Sequence, residues 1–245
     1  MTPKPLLNKT ALITGASQGI GKAIAIGYAG AGAKVCCAAR NYSALEQTVA
    51  EIRELNGTAL AIPTDVQDEP QVERMFTEVA EQFDGLDILV VNAGGNFDKN
   101  KVEESVSDKW KRTIDLNLFG AYYCIKHAIP HLKRRESGKI ITIGSGLGHH
   151  GIPNDSAYAC SKAALWMLTQ VVAQELATEN ISVNELIPGP VETTMSTPAF
   201  RKNVVEKQHD WLKSPEDVVP LALFLATQPA WSASAQSFSL MRRAR

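Results

Sequence analysis

Apolar runs of strand length alternate along the chain with longer amphipathic stretches, and this alternation predicts βαβ units and a mostly parallel sheet. Strands are expected over 9–14, 34–38, 58–62, 86–91, 139–143, 181–187 and 236–241. Helices are expected over about 19–31, 43–56, 68–84, 108–134, 157–179 and 215–228. Seven strands joined by right-handed crossovers fit an α/β, doubly wound sheet with helices on both faces. Asn154-Asp155-Ser156 offers cap residues for the helix over 157–179, and Ser214-Pro215-Glu216-Asp217 reads as a helix start with proline in its first turn. No repeat, low-complexity tract or linker interrupts the pattern, so residues 1–245 are read as one domain. The stretch from about 190 to 213 is too long and irregular for a simple connection and is expected to fold over a site as a mobile lid.

Composition narrows the picture modestly. A chain of 245 residues that is 44% hydrophobic can bury a substantial core, and a net charge of −1 gives no electrostatic reason to bind nucleic acid or an anionic membrane. The basic clusters Lys133-Arg134-Arg135 and Arg242-Arg243-Ala244-Arg245 are short, and they read as a helix C-terminus and a solvated tail. The cysteines, at 36, 37, 124 and 160, form no CxxC pair and no metal-like spacing. Cys36 and Cys37 are adjacent in an expected strand and so should face opposite sides of the sheet as core filler. The opening Met1-Thr2-Pro3-Lys4-Pro5 carries no signal-peptide hydrophobic region, and no apolar run approaches the ~20 residues that span a bilayer. The expectation is a cytoplasmic protein with no membrane partner.

The chemistry concentrates in a few motifs. Tyr158-Ala159-Cys160-Ser161-Lys162 puts a phenol and an amine four apart, on one face of a helix, downstream of Ser145 in Ile143-Gly144-Ser145-Gly146. A free tyrosine has a pKa of about 10, so use near neutrality calls for roughly three units of help from a nearby cation. Near the N-terminus, Gly15-Ala16-Ser17-Gln18-Gly19-Ile20-Gly21 links an expected strand to an expected helix. Glycines there permit positive φ and close approach to a pyrophosphate, whose charge a helix N-terminus favours. The motif after strand four is Asn92-Ala93-Gly94, that in the long helix is Asn117, and that after strand six is Pro188-Gly189. In a doubly wound sheet all the strand-end motifs fall on one edge, where ligands bind.

Taken together, in order and spacing, these motifs resemble the classical short-chain dehydrogenase/reductase family, including its 3-oxoacyl-[acyl-carrier-protein] reductase-like members. The resemblance covers about Leu7 to about Met241. It implies a strand order of 3-2-1-4-5-6-7 and a homotetramer. It also implies a catalytic set in which Tyr158 is the acid or base, Ser145 polarises a carbonyl, Lys162 depresses the tyrosine pKa and bonds the ribose, and Asn117 interrupts its helix and holds a relay water. By the same match Gly15, Ser17, Gly19, Ile20 and Gly21 line the pyrophosphate turn, and Asp65 and Val66 sit by the adenine. Asn92, Ala93 and Gly94 flank the adenosine ribose, and Pro188, Gly189, Val191 and Thr193 lie by the nicotinamide. Ala39-Arg40 ends strand two without the carboxylate that NAD enzymes offer to the ribose 2′-hydroxyl, so NADP(H) is the expected cofactor and NAD(H) the alternative.

The expected function is reduction of a carbonyl to a secondary alcohol, or the reverse. An NAD-dependent alcohol or sugar dehydrogenase of the same family is one alternative, and a non-catalytic dinucleotide sensor is another from a different class. His127 and His131 have i, i+4 spacing, but no glutamate follows His127 as in HExxH and Pro130 should disturb the helix, so no metal site is expected. His149 and His150, between Ser145 and Tyr158, are expected to flank substrate, with Asn96, Phe97, Ile152 and Met195 as further pocket candidates. The chain departs from the family pattern at Gly144, where serine is frequent, at Ala235, and in a last strand, Gln236-Ser237-Phe238-Ser239-Leu240-Met241, that lacks a closing Gly-Gly. The first departure is expected to matter little. The others leave the tail contacts of the tetramer open.

Overall fold

The strands form where apolar runs can bury both faces of the backbone: β1 (Thr10–Thr14), β4 (Ile88–Val91), β5 (Gly138–Ile143) and β6 (Ile181–Ile187) are buried along their whole length. With β2 (Lys34–Ala39), β3 (Thr58–Pro63) and β7 (Ser237–Ser239) they make one seven-stranded sheet in the order β3-β2-β1-β4-β5-β6-β7, every neighbouring pair parallel. The computed structural model describes residues 4–135, 137–198, 201, 202, 204, 211–229 and 231–241. Part of the lid stretch over 190–213, and the tail cluster 242–245, therefore lie outside the described residues.

Pleat alternation sends successive side chains into two cores. One face packs Ile13, Val35 and Cys37 with α1 (Gly19–Gly30) and α7 (Val219–Thr227), and the other packs Leu12, Cys36 and Leu89 with α3 (Glu69–Phe83), α5 (Gly120–Leu132) and α6 (Ser156–Glu175). Adjacent Cys36 and Cys37 thus face opposite cores, as their spacing predicts. Polar side chains set several boundaries. Asn41 accepts from Ala44 N to start α2 (Tyr42–Glu54), and Asp68 accepts from Gln71 N to start α3. The Asp87 carboxylate accepts from Thr10 N and Lys9 Nζ at the start of β4, which begins at Ile88 and not at 86.

The helix expected over 108–134 is α4 (Ser107–Ile114), a π-helical turn over Asp115–Phe119, and α5, in unbroken succession. Pro130 sits in the last turn of α5 and does not break it, since Lys133 N still donates to Ile129 O at 3.0 Å. A 3₁₀ turn over Pro215–Val218 precedes α7, with Ser214 N donating to Asp217 Oδ2 at 2.7 Å. At α6 the cap expectation is corrected. Asp155 makes no side-chain cap, because its Oδ1 instead accepts from Asn96 Nδ2 at 2.6 Å.

Candidate active site

The carboxyl ends of β1, β4, β5 and β6 open onto a cleft of about 660 Å³. Its floor at β1 is the glycine turn, where Gly15 and Gly19 have φ of +68° and +56°. A Cβ on Gly15 would stand 2.8 Å from Asn92 Nδ2, and one on Gly21 would collide with the same amide and with Gly15 O. The turn is this tight because Asn92 grips it: Nδ2 donates to Thr14 O at 2.9 Å and to Gly15 O at 3.3 Å, while the backbone N–H groups of Asn92 and Ala93 both donate to Thr14 Oγ1 at 3.0 Å. The Asn92 amide is therefore committed to the turn. The N-terminus of α1 carries no side-chain cap and no acidic residue in its first turn. Free amides at the positive end of a helix dipole suit an anion such as a pyrophosphate. Arg40 lies exposed where β2 ends, on the same cleft, beside Asn41 and Ala44.

The opposite end of the cleft is built on β5 and α6. Ser145 follows β5 in extended conformation, and its Oγ accepts from Leu147 N at 3.2 Å. Helical spacing brings Tyr158 and Lys162 to the same side. Lys162 Nζ lies 5.8 Å from the Tyr158 ring centroid and donates to Ile143 O at 2.8 Å. Burial pushes the Tyr158 phenol above its ordinary pKa, a hydrogen bond with Ser145 pulls it down, and the Asp155 charge raises it further. Desolvation is thus the largest influence on the phenol, and the Lys162 ammonium is held beside it by a backbone carbonyl. Burial also lowers the Lys162 pKa to about 8, with the Glu185 charge acting in the opposite direction.

Most of the remaining predicted residues line the cleft: Ser17, Ile20, Asp65, Val66 and Gly94, then Pro188, Gly189, Val191 and Thr193. Asn117 and Gly21 do not. The Asn117 side chain is buried in the π turn, accepting from Gly95 N and donating to Gly95 O, both at 2.8 Å, and donating to Ser161 Oγ at 2.9 Å. It thereby fixes the loop after β4 against α6, and bonds neither its own helix nor the cleft. Among the pocket candidates Asn96, His150, Ile152 and Met195 line the cleft. Phe97 is instead covered by Arg112 at 4.1 Å. His149 turns behind the site, its Nε2 2.8 Å from Glu185 Oε2 and its ring 4.9 Å from that of Trp166. His127 bonds Glu69 Oε1 and His131 stacks on Phe76. Among the described residues no group of three or more His, Cys, Asp or Glu is placed to hold a metal ion.

The start of the lid stretch is tied to the site. Gln18 Nε2 donates to Thr194 Oγ1 at 3.0 Å, and Val191 bridges Lys213 through Glu192 N to Lys213 O and Lys213 N to Pro190 O. Three contributors escaped the sequence reading. Asp155 stands beside Tyr158, Met241 of the tail packs over Gly146, and Glu185 is buried next to Gly144. A signal existed for the last, since it is the one carboxylate inside the strand Ile181–Ile187.

Residues 9–204 match the family model described as short chain dehydrogenase. The chain is 35% identical to a 3-oxoacyl-[acyl-carrier-protein] reductase of Synechocystis sp. over 92% of each chain. It is 39% identical to a protein of the same name from Staphylococcus aureus, over 78% of this chain and 77% of the other. Among solved structures it is similar to a short-chain type dehydrogenase/reductase from Mycobacterium marinum, with a TM-score of 0.90 and 33% identity over 96% of this chain and 95% of that one.

Proposed function

This chain belongs to the short-chain dehydrogenase/reductase family, and from that premise we propose that it is an NADP(H)-dependent oxidoreductase reducing a carbonyl to a secondary alcohol, or running the reverse. The observation that carries the reading is the meeting of Ser145, Tyr158 and Lys162 in one cleft with the glycine turn. When bound, the nicotinamide supplies or takes up the hydride. Tyr158 delivers the phenol proton to the carbonyl oxygen as negative charge develops there. Ser145 Oγ donates a hydrogen bond to the same oxygen and also pulls the Tyr158 pKa down. Lys162, as an ammonium, lowers the cost of the phenolate left behind. The glycine turn and the uncapped α1 would hold the pyrophosphate, and Arg40 a 2′-phosphate.

Two relatives are named as 3-oxoacyl-[acyl-carrier-protein] reductases, which makes a 3-oxoacyl thioester the first substrate to offer, ahead of small ketones, sugars and polycyclic carbonyls. Exposed Tyr122 on α5 and Met167 and Val171 on α6 supply apolar faces for a homotetramer. No described helix is long and apolar enough to cross a membrane. The four free thiols support a reducing, cytoplasmic setting. The test is a screen of carbonyls and alcohols with each cofactor, followed by the absorbance of the reduced nicotinamide. Tight NADPH binding with no turnover on any substrate would replace the enzyme reading with that of a dinucleotide sensor.

A further inference from the structure

We infer that Glu185 is a positioning residue for the active centre: its buried carboxylate, clamped by His149 and Ser237 beneath α6, is the fixed counter-charge of the Lys162 ammonium. The inference rests on the proposed function only in treating Lys162 as part of the reacting group.

Glu185 is fully buried in β6. It pairs in register with Thr142 of β5, and neighbours in a parallel sheet point to the same face. Thr142 Oγ1 lies 2.9 Å from Thr169 Oγ1 of α6, so this face is the one that α6 covers. Lys162 lies seven residues before Thr169, two turns along the same helix stripe. The ammonium donates to Ile143 O, and the next residue, Gly144, leaves the room that Glu185 Oε1 fills. Ammonium and carboxylate therefore flank one peptide unit.

The carboxylate is held rigidly but incompletely. Oε2 meets His149 Nε2 at 2.8 Å and accepts from Ser237 Oγ at 2.5 Å, whereas Oε1 is buried without a hydrogen-bond partner among the described residues. A buried carboxylate in that condition calls for a nearby cation. The titratable groups around the centre are Tyr158 and Lys162 of α6, Asp155 just before it, His149 of the Ser145 loop and Glu185 itself, and β7 offers the Ser237 hydroxyl. Lys162 is the ammonium that supplies the positive charge. Its own pKa responds accordingly, lowered by burial and lifted by Glu185. The same carboxylate, through His149, also ties down the loop that begins at Ser145.

The test is carbon-13 NMR of ε-labelled lysine in the full-length protein, with the Lys162 signal identified by its loss in Lys162→Met. In Glu185→Gln the signal should titrate about one pH unit lower than in the wild type, and in Glu185→Asp it should stay near the wild-type position. Gly144→Ser/Glu185→Ala fills the vacated space without a charge and should reproduce the shift should the glutamine variant not fold. With a turned-over substrate, Glu185→Gln should lower kcat about twofold at pH 7 and about tenfold above pH 8, with KM within about threefold, and move the alkaline limb of the rate profile down with the NMR titration. A Lys162 titration that is the same in the wild type and in the uncharged variants would overturn the inference, even with activity reduced, because a purely structural anchor predicts that result. A wild type without turnover would defeat the proposed function instead, and the NMR would still decide the role of Glu185.

Discussion

Gly144 and Glu185 share one volume: a side chain on Gly144 would run into Glu185 Oε1 and Cδ, which are themselves locked between β5, β7 and α6. The glycine is thus a packing requirement of this chain and not the neutral departure its family resemblance suggests. Gly144→Ser alone should lower stability by about 1–3 kcal/mol, the usual cost of overpacking a tight interior. Adding Glu185→Ala should recover most of that loss, since the hydroxymethyl then occupies space the carboxylate left. Urea unfolding of both single variants and the double gives the coupling directly, and strictly additive losses would refute the shared volume.

Tyr158→Phe keeps the ring on α6 and removes only the phenolic hydroxyl. Turnover should fall by about 10² to 10⁴ while NADPH affinity stays within a few-fold. Near-normal rates from the phenylalanine variant with a good substrate would exclude Tyr158 as the acid.

The exposed apolar residues Tyr122 on α5 and Met167 and Val171 on α6 should be covered by a second copy. Light scattering at micromolar protein should give about four times the 26.6 kDa chain mass. Val171→Glu should reduce the assembly to smaller units, and a wild type that scatters as a monomer would refute the tetramer.

What the sequence made legible follows from which interactions are periodic. The stripe of α3 repeats with the helical period, and the fully buried runs of β1 and β6 stand out as short apolar blocks between such stretches, so strand number and most helix bounds could be read directly. The sheet order came from resemblance, and the pairing registers agree with it. The glycine turn was legible for a different reason, because positive φ at Gly15 and Gly19 restricts the residue type strongly. What stayed hidden was long-range and aperiodic. Nothing near Asn92 announces that its amide closes the β1 turn 77 residues away, and nothing near Asp155 announces that Asn96 diverts it from capping α6. His149 was readable as a loop histidine, but its direction depends on Glu185, 36 residues on. Side-chain commitments of this kind are set by which strands become neighbours, which local pattern does not encode.

Arg40 should read the cofactor's 2′-phosphate. It lies exposed on the cleft beyond the last residue of β2, and neither Ala39 nor Asn41 offers the carboxylate that would bond a ribose 2′-hydroxyl. A guanidinium forked onto phosphate oxygens is worth about 1.5–3 kcal/mol, or roughly 10- to 100-fold in preference. The expected result is a kcat/KM for NADPH above that for NADH by such a factor, reversed or abolished in Ala39→Asp/Arg40→Leu. A wild type favouring NADH, or a variant with unchanged preference, would show that Arg40 does not make this contact.

Lys162 should give opposite pH trends in activity and in stability. In the folded chain its pKa is lowered from 10.5 to about 8 by burial, against the pull of Glu185. Below pH 8 both folded and unfolded chains carry the proton, and the fold bears the full cost of a buried ammonium. Between pH 8 and 10.5 the unfolded chain binds more protons than the folded one, so this group's contribution makes the fold more stable as pH rises, by up to roughly 3 kcal/mol in all. Catalysis runs the other way. In the proposed carbonyl reduction the ammonium stabilises the phenolate left as the proton departs, so kcat should decline as pH rises through about 8. The stability part is measured as the difference between the wild type and Lys162→Met in urea midpoints across that window, which cancels the other titrating groups. A difference that is flat in pH, or a reduction rate that climbs through pH 8, would show that the Lys162 charge neither strains the fold nor serves the reaction.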